Sequence, residues 1–371
     1  METKKYRFDE VTINFDKKRI PLSSAQREKR QGTFRYYGAQ GVIDHVDDYI
    51  FDGTYLLIAE DGENLKSKKQ NIAQVVDGQF WVNNHAHIVQ GNEQCDTRFL
   101  CYLINSMDLS GYVTGSAQPK LSQANLNAVT LSLPTLAEQK RIVEYLYMLD
   151  QKIDVNRQIN DNLQQQAAAF FSIRYNRSNT EVRFTDLIQI LGGGTPKTGE
   201  NAYWNGKIAF FTPKDVGTPY TLITEKTITE EGLSHCNSRL YPVNTVFVTA
   251  RGTVGKVGMS GVPMAMNQSC YALVGKETHQ LLVYFYTLKA VDRLKHKASG
   301  AVFDAITTRD FESEQIMKLS DDDAKAFLRV AAPMFQEVLN NNIENLRLST
   351  LRDSLLPKLM SGEIDVSAVQ L

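Results

Sequence analysis

The sequence has almost no net charge, no long apolar run, no leader-like opening and no cysteine pattern, and each absence removes a class of protein. Its 371 residues carry 41 Lys and Arg against 42 Asp and Glu, so no whole-chain field marks a partner, although a locally basic face is compatible with a cancelling total. Four cysteines, Cys95, Cys101, Cys236 and Cys270, show no paired spacing. Cys95 and Cys101 lack the close His or Cys partners of a zinc site, which predicts buried free thiols in a reducing compartment. The opening METKKYRFDE is charged throughout, unlike a signal peptide. No apolar run approaches the ~20 residues of a membrane span. These absences predict a soluble, cytoplasmic chain with no membrane contact.

Catalytic and metal constellations are missing as well. GGGTPKTG (192–199) suggests a phosphate loop, yet Pro196 precedes Lys197 where that pattern needs Gly. GTVGKVG (252–258) places Val257 after Lys256, where Ser or Thr would coordinate magnesium. Both read as turns in which glycine supplies positive φ. Glu138 and Lys140 have a nuclease-like Glu-x-Lys spacing but no preceding Pro-Asp, so they read as a solvated helix face. His85 and His87 stand at strand spacing on one side without a third ligand, and read as core or surface histidines with no metal.

What the chain does contain is itself, twice. GSAQPKLSQANLNAVTLSLPTLAEQKRIV (115–143) is echoed about 185 residues later by SGAVFDAITTRDFESEQIMKLSDDDAKAFLRV (299–330). FDGTYLLIAEDG (51–62) has a partner in YPVNTVFVTARG (241–252), and VNNHAHIVQG (82–91) in AMNQSCYALVG (265–275). The period is too long for a solenoid, so the repeat predicts two globular domains, each long enough to bury a core and each followed by a helical arm. Short β-branched and aromatic runs bounded by Gly, Asn and Asp predict strands in both domains.

After Pro134 the apolar period lengthens. Ile142, Leu146, Leu149 and Ile153, then Ile159, Leu163, Ala167 and Phe170, step by threes and fours with a break near Asn156. The second arm carries Leu339, Ile343, Leu346, Leu351, Leu355 and Leu359 behind the helix-starting run Asp321-Asp322-Asp323, with Pro333 expected in a first turn or a kink. Each long amphipathic helix must bury its stripe, and its own duplicate laid antiparallel is a ready partner. Asn156, near the stripe, has two readings, a register-setting residue or a surface one. The expected class is therefore α+β: globular domains at 1–133 and 179–319, helical segments at 134–178 and 320–371, and a pseudo-twofold antiparallel coiled coil.

These residues carry a resemblance. PTLAEQKRIV after a strand-rich domain, GGGTPKTGENAYWNGKIAFFTPKDV (192–216), ARGTVGKVG (250–258) with MNQSCYALV (266–274), and the closing RDSLLPKLMSGEIDV (352–366) resemble the specificity subunit of type I restriction-modification systems over essentially the whole chain. One departure is that LPTLAEQ of the first arm becomes LSDDDAK (319–325) in the second. The resemblance implies two target recognition domains, each reading half of a split asymmetric site on double-stranded DNA. It also implies helices that set the spacer and dock two modification subunits, which bring S-adenosylmethionine and methylate adenine. Restriction subunits, using ATP and Mg, then join to cut. The chain itself would hold no cofactor and do no chemistry; it lacks a methyltransferase's glycine-rich cofactor loop and Asn-Pro-Pro-aromatic motif. A coiled-coil adaptor without DNA specificity, or the recognition part of a fused restriction-methyltransferase, are the competing readings.

Base edges are read by Arg or Lys on guanine and Asn or Gln on adenine, while phosphates take Lys, Arg, hydroxyls and backbone amides. The candidates for DNA contact in the first domain are Tyr36 and Tyr37 behind a basic run, Asn83 with Asn84, and Gln118 with Lys120. In the second they are Lys197, Lys214, Arg251, Lys256, Asn267 and Gln268, all in glycine-flanked loops. Trp204 is expected in the core.

Overall fold

In a computed structural model the chain forms two compact units, Met1–Gln151 with Leu348–Leu371, and Lys152–Arg347. The structure describes residues 2–67, 70–115, 118–217, 219–297 and 305–364. Small parts of the repeated motifs, at 116–117, 299–304 and 365–366, lie outside the described residues.

The first unit is built on a six-stranded sheet in the order Thr12–Asn14, Ala86–Gly91, Phe51–Ala59, Ala73–Val82, Gln31–Gly38, Gly41–Val46. All neighbours run antiparallel except Gln31–Gly38 beside Ala73–Val82, which are parallel. Helix Thr97–Ser106, capped by the Asp96 carboxylate on the Arg98 and Phe99 amides, buries Phe99, Leu100, Leu103 and Ile104 on this sheet. Strands Lys4–Arg7 and Thr130–Leu133 pair antiparallel and lead into the first long helix, Leu136–Tyr175.

The second unit repeats that plan with a divided sheet. Five strands follow the order Ile188–Gly192, Cys270–Gly275, Val246–Thr249, Val257–Ser260, Tyr220–Thr221. Lys226–Ile228, Trp204–Phe211 and Met264–Met266 form a separate three-stranded sheet. Helix Gln280–Lys297 sinks Leu282, Val283, Phe285 and Tyr286 into the core. Gln315–Lys318 pairs with Thr180–Arg183 and leads into the second long helix, Asp321–Ser361.

Within each unit the two long helices pair antiparallel. In the second, Arg174 lies by Asp323 at 3.7 Å, Phe171 by Phe327 at 5.4 Å between ring centres, and Asn156 Nδ2 by Asn345 Oδ1 at 2.9 Å. In the first, Asp150 meets Arg352 at 2.6 Å, and Ile142 and Leu146 share a core cluster with Leu359. Ile142, Leu146, Ile153, Leu339 and Leu359 are buried; Leu149, Leu163, Ile343, Leu346 and Leu355 are half-buried.

Two expectations about the stripe are corrected. Ile159 is 42% exposed and Leu351 46% exposed. The seam runs 153, 156, 160, 163, 167 in steps of three and four, so the polar Asn156 and Asn160 occupy it and are buried. Asn156 is thus a seam residue. Pro333 stands in the interior of the second helix, well past the first turn. Among the described residues no helix is long and apolar enough to cross a membrane.

Candidate nucleic-acid interface

The duplicated hairpin positions the candidate residues. Strand Phe51–Ala59 ends where Ala86–Gly91 begins, Ala59 opposite Ala86. In the second unit Val246–Thr249 ends where Cys270–Gly275 begins, Thr249 opposite Cys270. The loops at this shared end are therefore equivalent: Glu60–Gly62 and Asn83–His85 in one copy, Ala250–Gly252 and Asn267–Ser269 in the other.

In the first unit the loop containing Gln118 and Lys120 joins that end. Gly62 N donates to the Pro119 carbonyl at 3.2 Å, Leu121 N to the Glu60 carbonyl at 2.8 Å, and Lys120 Nζ lies 3.2 Å from Glu60 Oε1. His85 Nδ1 is 2.7 Å from Asp61 Oδ2, and the His85 amide donates to Asn83 Oδ1 at 2.8 Å. Gln118, Lys120 and Asn84 are exposed and Asn83 half-buried, so four predicted residues do come together. Arg19, absent from the prediction, ties the base of the cluster to Glu60 Oε2 and the Ala86 carbonyl, each at 3.0 Å. Residues 19, 60 and 86 share no sequence pattern, so only the fold brings them together.

Tyr36 and Tyr37 are a correction. Tyr36 is 0% and Tyr37 4% exposed. Their strand is interior to the sheet, with neighbours on both sides. The Tyr36 hydroxyl is engaged by the Leu22 backbone at 2.9 Å, and the Tyr37 ring packs edge-on against Phe80. Burial pushes the Tyr37 phenol above its ordinary pKa. Both are core residues without a surface to offer a base. His85 and His87 also part company: His85 is exposed, whereas His87 is 1% exposed.

In the second unit Asn267 N donates to the Phe211 carbonyl at 3.0 Å, and the Ala250 amide reaches the Ser269 carbonyl at 2.8 Å. The Thr195 hydroxyl bonds Gln268 Oε1, adding a residue the sequence did not single out. Gly193 passes so close that a methyl there would stand 2.2 Å from the Asn267 carbonyl oxygen, which is why glycine opens this loop. Thr253 Oγ1 donates to the Pro213 carbonyl at 3.3 Å, bringing the Arg251 loop to Lys214. Arg251, Lys256 and Gln268 are exposed, and Lys214 has 80% of its side chain free with Glu225 at 3.8 Å. Lys197 is exposed in a separate turn, its carbonyl accepting from the half-buried Trp204 indole at 3.1 Å. Among the described residues no group of three or more His, Cys, Asp or Glu side chains is placed to hold a metal ion.

The chain is similar to known proteins in sequence and in fold. A model of the type I restriction modification DNA specificity domain matches residues 2–165 and 176–318. A putative type I restriction enzyme specificity subunit of Haemophilus influenzae is 36% identical over 138 residues, 37% of this chain and 35% of that protein. The HindI specificity subunit of the same organism is 28% identical over 186 residues, 48% of this chain and 40% of that protein. The MjaIX specificity subunit of Methanocaldococcus jannaschii is 27% identical over 165 residues, 43% of this chain and 38% of that protein. The chain thus spans two-fifths or less of the length of these relatives. In fold it is similar to the crystal structure of a type I restriction-modification S subunit from M. genitalium, with a TM-score of 0.63 and 13% identity, covering 97% of this chain and 96% of that one. With two tandem matches covering most of its length, the chain belongs to the type I restriction modification DNA specificity domain family.

Proposed function

We propose that the chain is the DNA-reading subunit of a type I restriction-modification complex, each recognition domain reading one half of a bipartite, asymmetric site. The observation that carries this reading is the pair of equivalent loop clusters: one hairpin end, duplicated, presents Asn83, Asn84, Gln118 and Lys120 in one copy and Arg251, Asn267 and Gln268 in the other. Amide side chains suit adenine edges and arginine suits guanine, so the same scaffold carries two different reading sets. Lys214, and the exposed backbone of these loops, suit phosphates. The paired helices act as the spacer and as the dock for two modification subunits, which supply S-adenosylmethionine. Restriction subunits with ATP and Mg complete the complex, and this chain contributes specificity without catalysis.

The test exchanges residues 185–318 for the matching domain of a relative and maps methylated adenines made by the assembled complex. One half of the site changes and the other persists. Alteration of both halves would defeat independent reading.

A further inference from the structure

His87 lies at the base of the first loop cluster with its ring between two acceptors. Nδ1 is 2.6 Å from Asp16 Oδ2 and Nε2 is 2.8 Å from the Leu121 carbonyl oxygen. Asp16 is engaged as a carboxylate: its Oδ1 accepts from the Ile88 amide at 2.8 Å, and Arg19 Nη2 stands 3.5 Å from Oδ2. A neutral imidazole has a single N–H and satisfies one of these acceptors, leaving a lone pair against the other. Only the doubly protonated ring makes both bonds.

The surroundings favour that state. Burial by itself disfavours a charged ring, but the Asp16 and Leu121 hydrogen bonds and the negative charges of Asp16 and Glu60 outweigh it, holding His87 above the ordinary histidine pKa. Asp16 is held below the usual carboxylate range: the burial that opposes this is outweighed by His87, the Ile88 amide and Arg19. The charged groups packed about the ring come from three elements. Asp16 and Arg19 come from the segment after the first edge strand, Glu60 from the end of Phe51–Ala59, and Lys120 from the loop.

We infer that the proton on His87 Nε2 fixes the reading loop of the first domain, making His87 a positioning residue for recognition of the first half-site. Leu121 is pinned twice, its amide on the Glu60 carbonyl and its carbonyl on His87, and Lys120 and Gln118 immediately precede it. When the ring loses a proton, Nδ1 keeps its hydrogen because the bond to a carboxylate is the stronger one. Nε2 then turns a lone pair on the Leu121 carbonyl, and the loop gives way. Because the folded pKa is raised, the clamp is intact below the ordinary histidine value and is lost as pH rises through the raised one. Among the described residues the second domain has no such histidine: in its equivalent strand Cys270 matches Ala86, and Tyr271 stands where His87 does. Alkaline pH therefore loosens one half-site and spares the other. This inference rests on the proposed reading of the Gln118–Lys120 loop as DNA-facing.

Two measurements test it. In the full-length chain with isotope-labelled histidine rings, NMR from pH 6 to 10 is expected to show both His87 nitrogens still protonated where an ordinary histidine ring has become neutral, assigned by comparison with His87→Gln. In the assembled complex, methylation of duplexes bearing single base changes in either half-site is followed over the same range. Discrimination in the first half-site falls by about tenfold as the ring deprotonates, the scale of one buried hydrogen bond to a charged group, while the second is unchanged. In His87→Gln the first half-site is read poorly at every pH, without a step. A ring that turns neutral at or below the ordinary histidine value overturns the inference, and so does a step that persists in His87→Gln. Should that variant not fold, the contrast between half-sites across the pH range in the wild-type complex decides: loss in the first alone supports the clamp, and equal change or no change in both overturns it. If Gln118→Ala alters neither half-site while the ring is charged, the DNA-facing reading of the loop fails and the clamp remains.

Discussion

Two leucine substitutions four residues apart in the first long helix are expected to differ in their effect on stability, Asn160→Leu destabilising and Asn156→Leu not. Asn160 is 4% exposed and fully engaged, its Nδ2 donating to Asn342 Oδ1 at 3.0 Å and its Oδ1 accepting from Asn341 Nδ2 at 2.9 Å. Asn341 is itself buried, so Asn160→Leu strands its amide, a penalty of about 1–3 kcal/mol that the new methyl groups, set among amides, only partly offset. Asn156 is 0% exposed, and its Nδ2 reaches Glu344 and Asn345, but its Oδ1 is buried without a hydrogen-bond partner. Asn156→Leu removes that unpaired atom. The Glu344 carboxylate, 44% exposed, and the half-buried Asn345 then return to water. The outcome is neutral or stabilising, since apolar contact at a seam position is worth about 1–2 kcal/mol.

The assay is thermal unfolding of the Lys152–Arg347 unit read by Trp204 fluorescence, in a Trp81→Phe parent so that the other unit is silent. At about 2–4 °C per kcal/mol for a unit of this size, Asn160→Leu lowers the midpoint by roughly 3–6 °C while Asn156→Leu leaves or raises it. Adding Asn341→Leu to Asn160→Leu removes the stranded amide and recovers most of the loss, a coupling of about 2 kcal/mol. Equal destabilisation by both single substitutions, or additivity in the double variant, would refute the assignment of satisfied and unsatisfied amides in the seam.

Two further outcomes follow from the loops and the thiols. Lys214→Ala and Arg251→Ala each weaken binding of the second half-site only, and a variant that has lost a phosphate contact shows a salt dependence shallower by about one counterion; unchanged affinity in both removes these loops from the interface. Burial pushes the Cys95, Cys101 and Cys270 thiols up to about 12, so brief alkylation at pH 8 followed by mass spectrometry finds Cys236 modified alone and all four modified in urea; native labelling of Cys270 as fast as Cys236 contradicts this.

Features that repeat along the chain were readable in advance; features made by distant pairing were not. The strand pair at 51–62 and 82–91 and its echo at 241–252 and 265–275 were legible because strand chemistry and turn residues are local. The long helices were legible from their period, but an apolar period steps from Ile153 to Ile159 with a break near Asn156, because the seam at Asn156 and Asn160 is polar. The burial of Tyr36 and Tyr37 is not legible in the sequence for a different reason. Their burial comes from a parallel neighbour some forty residues away, at Phe80–Val82, and no local signal announces that pairing. Pro333 shows the limit of a positional rule, since the helix extends through it with one donor fewer.

Duplication supplies a comparison that a single sequence otherwise lacks, because each position in one copy can be set against its counterpart in the other. Phe8 and Phe184, at 1% and 0% exposure, match, and each follows an arginine whose amide is capped three residues on, Arg7 by Glu10 and Arg183 by Asp186. Gly91 and Gly275 match as well. A methyl at either would stand 1.9 Å from a carbonyl oxygen, of Cys95 or Thr278, where the strand turns toward its packed helix. These matched positions serve packing. The hairpin end reads differently: Asp61 faces the solvent boundary where the second copy has Arg251, and His87 stands where it has Tyr271. A reversal of charge at an equivalent loop position is what the proposed reading of two different half-sites requires. An acidic side chain there accepts from a cytosine amino group, whereas arginine addresses guanine. On the proposed function, this end of the strand pair is where the difference in reading between the two half-sites should be sought.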